Sequence, residues 1–229
     1  MLRFKCLVLD HDNTVVQSEK TVSYPCFVET MQKFRPDVKL SYETFVQDCH
    51  TMGFYDLCCK KYSFTKEEMD IEYRDWKEYI QKHIPLPYPG ISQIIEKHKA
   101  MGGIICVVSQ SSSQIIIRDY QTHFSFVPDA VFGCEYPLHQ QKPNPYPLLA
   151  IMEQFHLTAD DLLVLDDSKL GYDMAVSAGA PSAFAAWGKA GFANIIEELS
   201  SVCDHTFHTT AEFESFLFDG LDNSDIINP

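Results

Sequence analysis

Positive charge is scarce in this chain. Eighteen Lys and Arg stand against 32 Asp and Glu, for a formal net charge of -14. Nucleic-acid binding rests on basic side chains that neutralise phosphates, so no nucleic-acid partner is expected. A small phosphorylated ligand is not excluded, because local charge decides its binding. Long apolar runs are missing as well. No segment has the roughly 20 apolar residues that a membrane helix needs, so no membrane partner is expected. Met1-Leu2-Arg3-Phe4 runs straight into the first apolar stretch, and no secretory signal is expected. Eight cysteines occur, but none in CxxC spacing, which argues against a zinc site or a redox pair. His50 with Cys49, Cys58 and Cys59 matches no standard metal spacing. There are no internal repeats and no low-complexity tracts. The expectation is a cytoplasmic protein whose oligomeric state is not legible.

Apolar residues make up 45% of 229, enough for a substantial core. Phe4 to Leu9 reads as a buried strand, and further apolar strands are expected near Ile104, Val131, Leu162, Ser182 and Thr206. Helical patterns alternate with these from Pro89 onward, which implies a parallel sheet with helices on both faces. Between the first and second strands lies a purely helical stretch. Glu19 to Lys33 has helical spacing, Ser41 is placed to cap a second helix, and Thr65-Lys66-Glu67-Glu68 is a capping-box pattern opening a helix toward His83. The expected organisation is an α/β core from residues 1–15 and 88–218, a helical insert over 16–87, and an acidic tail over 219–229.

Chemistry gathers at the strand ends. Asp10 and Asp12 close the first strand in Leu7-Val8-Leu9-Asp10-His11-Asp12-Asn13-Thr14. Strand alternation turns both toward one side, and adjacent carboxylates repel unless a cation or a shared proton holds them. An acidic turn is the plain alternative. The second strand ends at Ser109-Gln110-Ser111-Ser112-Ser113, Lys142 follows in Gln141-Lys142-Pro143, and another strand ends at Asp166-Asp167-Ser168, with Gly171 beyond.

A DxDxT followed in order by Ser, Lys-Pro and Asp-Asp-Ser resembles the haloacid dehalogenase superfamily over most of the chain. The branch it looks most like holds phosphoglycolate phosphatase and β-phosphoglucomutase. The resemblance implies a Rossmann-like parallel sheet core, with the insert as a helical cap over the site. It implies Asp10 as nucleophile and Asp12 as general acid and base. Ser109, Gln110 and Lys142 would hold the phosphoryl group, and Thr14 would brace the loop with its hydroxyl. Magnesium would be held by a carboxylate oxygen of Asp10, the backbone carbonyl of Asp12, and the Asp166-Asp167 pair, with Asp167 the firmer ligand. Asp173 is left as a polar helix residue.

Three positions depart from the family pattern: His11 where an apolar residue is usual, Asn13 for Gly, and Gln110 for Asn or Thr. The implied activity is magnesium-dependent hydrolysis of a small phosphomonoester through an aspartyl-phosphate. A phosphosugar mutase and a non-catalytic phosphate-binding protein are the alternatives. Dehalogenation fits less well, since that chemistry does not need Asp12. Cap residues that would choose the substrate are His50, Lys60 and Lys61, with Phe54 and Tyr55, although a packed helix face explains the aromatics equally well.

Overall fold

The computed structural model describes residues 2–124 and 126–220; the expected acidic tail falls outside them from residue 221 on. Six strands form one sheet: β1 Cys6–Leu9, β2 Ile104–Val108, β3 Ala130–Phe132, β4 Leu162–Asp166, β5 Ser182–Ala185 and β6 His205–Phe207. Their order is β3-β2-β1-β4-β5-β6, and every pairing is parallel. All five strands expected after the insert are present. The first ladder begins at Cys6 rather than Phe4, whose side chain is nevertheless buried. β1 lies between β2 and β4, where the chain's direction of travel across the sheet reverses. Ligands in open parallel sheets bind beyond the carboxyl ends at such a point.

The chain divides into two units. One comprises residues up to Val16 and from Pro87 on; the other is Gln17–Leu86. The helical unit contains α1 Tyr24–Phe34, α2 Tyr42–Met52, the single turn α3 Phe54–Asp56, and α4 Lys66–Lys82. A helix was expected from Glu19, but Glu19–Ser23 forms a wider turn in which the Tyr24 N–H reaches the Glu19 carbonyl. Pro25 stands at the first turn of α1 and has no N–H to donate back to that segment. Ser41 Oγ caps α2 by accepting the Thr44 N–H at 3.1 Å. The capping box at α4 is complete: Glu68 N–H donates to Thr65 Oγ1, and Thr65 N–H donates to Glu68 Oε2. Phe27 lies at the centre of this unit, its ring 5.5 Å from Phe45, 5.2 Å from Phe54 and 6.2 Å from Phe64.

The sheet-bearing unit adds α5 Ile91–Ala100, α6 Ser113–His123, α7 Tyr146–Phe155, α8 Lys169–Ala178, α9 Ala193–Ser200 and α10 Thr210–Phe218. Strand alternation sorts its core into two layers. Leu7, Leu9, Ile105, Val107, Leu163 and Leu165 pack with Ile94 of α5, Tyr120 of α6 and Phe213 of α10. Cys6, Val8, Cys106, Val108, Leu162 and Val164 pack with Ile151 of α7 and Met174 of α8. A strand covered on both faces needs apolar residues at every position, which is why β1, β2 and β4 are continuous apolar runs. Among the described residues, no helix is long and apolar enough to cross a membrane.

Candidate active site

β1, β2 and β4 present their carboxyl ends side by side. The Asp10 N–H extends the ladder past β1, donating to Leu165 O at 2.9 Å. Asp10, Asp166 and Asp167 are all buried, and one carboxylate oxygen from each lies within 4.8 Å of the others. Three buried carboxylates repel, so something cationic must offset them. Lys142 does so: its Nζ donates to Asp10 Oδ1 and to Asp166 Oδ2, each at 2.7 Å. Lys142 arrives on the loop before α7, where Gln141 Nε2 anchors the chain to the carbonyls of Cys134 and Tyr136.

Burial pushes the Asp10 carboxyl well above the usual carboxylate range; Lys142 opposes this, while Asp166, Asp167 and Asp12 add to it. For Lys142, burial alone pulls the ammonium's pKa down. The charges of Asp10 and Asp166 outweigh it, and the ammonium is held in its charged form. Asp166 also accepts from the backbone N–H and hydroxyl of Ser168, at 2.9 and 2.7 Å. Gly171 lets α8 close on this carboxylate, since a Cβ there would lie 2.2 Å from the Asp166 carboxyl carbon.

Asp12 has a different environment. Its Oδ2 accepts the Ser111 hydroxyl at 2.6 Å and the Ser109 hydroxyl at 3.4 Å. Its side chain is outside the three-acid cluster and is partly exposed. Asn13 takes the left-handed backbone at φ 57°, which Asn tolerates where most residues do not. The loop then folds back, with the Val15 and Val16 N–H groups both donating to His11 O at 3.0 Å.

The structure thus gathers Asp10, Lys142, Asp166 and Asp167 in one cluster and sets Asp12 with Ser109. Gln110 has an exposed side chain, and the neighbouring Ser111 donates its hydroxyl to Asp12. Thr14 braces the loop through its carbonyl, which accepts Trp187 Nε1–H at 3.1 Å; its buried hydroxyl has no hydrogen-bond partner among the described residues. Lys60 and Lys61 are ion-paired to Asp56 and Asp48 within the helical unit, and His50 is half-buried there.

Several contributors were missed in the sequence. Lys189 Nζ lies 2.9 Å from Asp167 Oδ2, both side chains being buried. It follows Trp187-Gly188 in the turn Ala186–Lys189 directly after β5. Its place just past the carboxyl end of a parallel strand is the sequence signal that points to it. His11 turns to the opposite face from Asp10, as alternation requires. There its Nε2 lies 3.0 Å from Asp119 Oδ2 on α6, and Arg118 donates twice to Asp119 Oδ1, at 2.8 and 2.6 Å.

The sequence matches the haloacid dehalogenase-like hydrolase family over residues 7–185. No curated protein matches it. Among solved structures, one named as a predicted phosphoglycolate phosphatase from Haemophilus somnus is similar at 20% identity and TM-score 0.71, over 94% of this chain and 99% of that one. CbbY from Rhodobacter sphaeroides, in complex with phosphate, is similar at 17% identity and TM-score 0.72, over 92% and 96%. A protein from Bacteroides vulgatus named as a putative β-phosphoglucomutase matches at 20% identity and TM-score 0.69, over 93% and 86%. At these identities the three structures speak for the fold, while the family match speaks for descent. The chain belongs to the haloacid dehalogenase-like hydrolases, with an aspartate-rich site at the carboxyl ends of its central strands.

Proposed function

We propose that this hydrolase is a magnesium-dependent phosphatase of small phosphomonoesters that works through an aspartyl-phosphate on Asp10. The observation that carries the reading is the separation of two carboxylates only two residues apart. Asp10 sits against Lys142 among other acids, whereas Asp12 sits on two hydroxyls at the edge of the cluster. Carboxylates in contrasting environments are suited to contrasting roles. In the proposed sequence, an Asp10 oxygen attacks phosphorus, and the bond from phosphorus to the leaving oxygen breaks. The Asp12 carboxyl gives its proton to that oxygen. Asp12 then takes a proton from water, the water oxygen attacks phosphorus, and Asp10 is released.

Lys142 has three N–H donors, of which Asp10 and Asp166 use two. The third is available to a phosphoryl oxygen. Ser109 and Ser111 orient Asp12 by donating to it. Asp10, Asp166 and Asp167 form a hard-oxygen donor set of the kind that holds magnesium, and they fit it better than a softer metal. When bound, the ion would offset the repulsion between the anionic nucleophile and an anionic substrate. Substrate choice is assigned to the inserted helical unit. The CbbY structure with phosphate and the named phosphatase among the similar folds support a phosphorylated substrate. The eight unbridged cysteines support a reducing, cytoplasmic setting.

The test is release of phosphate from an aryl phosphate and a broad panel of phosphorylated metabolites, with magnesium and with EDTA. Turnover with magnesium and its loss with EDTA are expected. Turnover of nothing in the panel, by protein with Asp10 intact, would favour the phosphate-binding alternative.

A further inference from the structure

Three successive residues after β5 are each fixed to the site. Trp187 Nε1–H donates to Thr14 O at 3.1 Å. Gly188 packs so closely on the Asn13 carbonyl that a Cβ would lie 2.2 Å from its oxygen and 3.1 Å from Asp167 Cβ. Lys189 then reaches Asp167 at 2.9 Å. The turn is therefore built against both strand-end loops, and the ammonium's place follows from the backbone that carries it. Its side chain is only 9% exposed and that of Asp167 7%, so each needs the other's charge far more than a surface pair would.

Charge balance gives this pairing a consequence. Asp10, Asp12, Asp166 and Asp167 contribute four negative charges when ionised, and Lys142 and Lys189 contribute two positive ones. One divalent cation completes neutrality. Asp10 and Asp166 share Lys142, and Asp167 has a cation of its own against it; a metal ion and an ammonium beside the same carboxylate repel. We propose that Lys189 is a built-in counter-cation of Asp167, so that a divalent ion engages this carboxylate only by displacing the ammonium. The inference rests on the reading of Asp167 as a metal ligand. Displacement leaves Lys189 buried without its carboxylate, which is costly, and a phosphate anion arriving in the site offsets that cost. Lys189 thereby ties metal binding to phosphate binding, and by linkage each ligand strengthens the other through it.

The test uses the full chain without substrate. Magnesium binding is measured by calorimetry, with and without inorganic phosphate, for wild type, Lys189→Met and Lys189→Gln. Removing the competing charge should tighten magnesium binding by about tenfold or more, a modest fraction of what a unit charge at such range exerts. It should also shrink the factor by which phosphate improves magnesium affinity. Magnesium affinity no tighter in folded variants, or an undiminished phosphate effect, overturns the role of Lys189. Wild type that binds no magnesium at all overturns the proposed function as well, which separates the two failures. Should neither variant fold, Trp187 reports on the wild-type turn directly. In a Trp76→Phe background it is the remaining tryptophan, and its emission should change on magnesium addition. Unchanged emission at saturating magnesium counts against displacement.

Discussion

At the scale of single residues, the strand-end aspartates divide the work. Asp10→Asn should abolish turnover, because an amide is a poor nucleophile and a weaker metal ligand. Asp12→Asn should keep magnesium binding and lose proton transfer, at about 10²–10⁴-fold in rate, since general acid–base help has that typical size. A substrate with a very acidic leaving group needs less protonation, so this variant should suffer less with it in the first step. Trapped phosphate should be found on Asp10; phosphate on Asp12 or Ser109 would overturn the assignment. His11 presents a different case. Its Nε2 pairs with Asp119, a fully buried side chain, while Nδ1 has no hydrogen-bond partner among the described residues. His11→Leu should cost about 2 kcal/mol in denaturant unfolding, because a buried carboxylate oxygen loses its donor. Joint replacement by His11→Leu and Asp119→Leu should recover only part of that, since it also takes from Arg118 the carboxylate it donates to. A double variant as unstable as the sum of the singles would refute this account.

At the scale of elements, α4 carries both its own start signal and a buried liability. The capping box was legible because Thr65 and Glu68 satisfy each other within four residues. Nothing local marks Glu72 on the same helix as buried; packing of α4 on α1 decides that. Burial, with Asp75 adding to it, pushes its carboxyl from an ordinary 4.5 up to about 7. The folded state then binds more protons than the unfolded state between those values. Its contribution therefore favours folding below about 4.5 and is lost as pH rises through 7. Ionisation in place costs about 3 kcal/mol. Glu72→Gln should accordingly raise the melting temperature at pH 8 and change it little at pH 4.5. Equal shifts at both pH values would show that Glu72 is ionised in the folded protein at low pH.

At the scale of the molecule, the inserted unit interrupts the sheet-bearing unit at one place. Val16 and Pro87 face each other as an isolated antiparallel bridge, and the Tyr88 N–H donates to Val15 O at 2.9 Å. The two ends of the insertion are therefore adjacent. Joining residue 16 to residue 87 through a short linker should leave a cooperatively folding α/β unit, because each strand and both apolar layers lie outside 17–86. Magnesium binding should survive and substrate preference should change. A deletion that folds yet binds no magnesium would show that the insert helps build the metal site.

The sequence by itself determined the strands, the helical stretch between the first two of them, and the acids that close β1 and β4. The reason is local: apolar runs bounded by polar turns define buried parallel strands, and a parallel sheet delivers whatever follows each strand to the same edge. Asp10, Ser109 and Asp166 could be placed together on that rule alone. Only the tertiary structure decided which polar groups pair. Lys142 bridges Asp10 and Asp166 across 132 and 24 residues of sequence. Ser111 turns toward Asp12, and Thr14 braces its loop by a carbonyl that Trp187 reaches across 173 residues. Lys189 meets Asp167 only because Gly188 has no Cβ to hold its turn away from Asn13. Periodicity in a sequence reports which side of an element is buried. Which partner waits there depends on close packing between elements distant in the chain, and no local pattern encodes it.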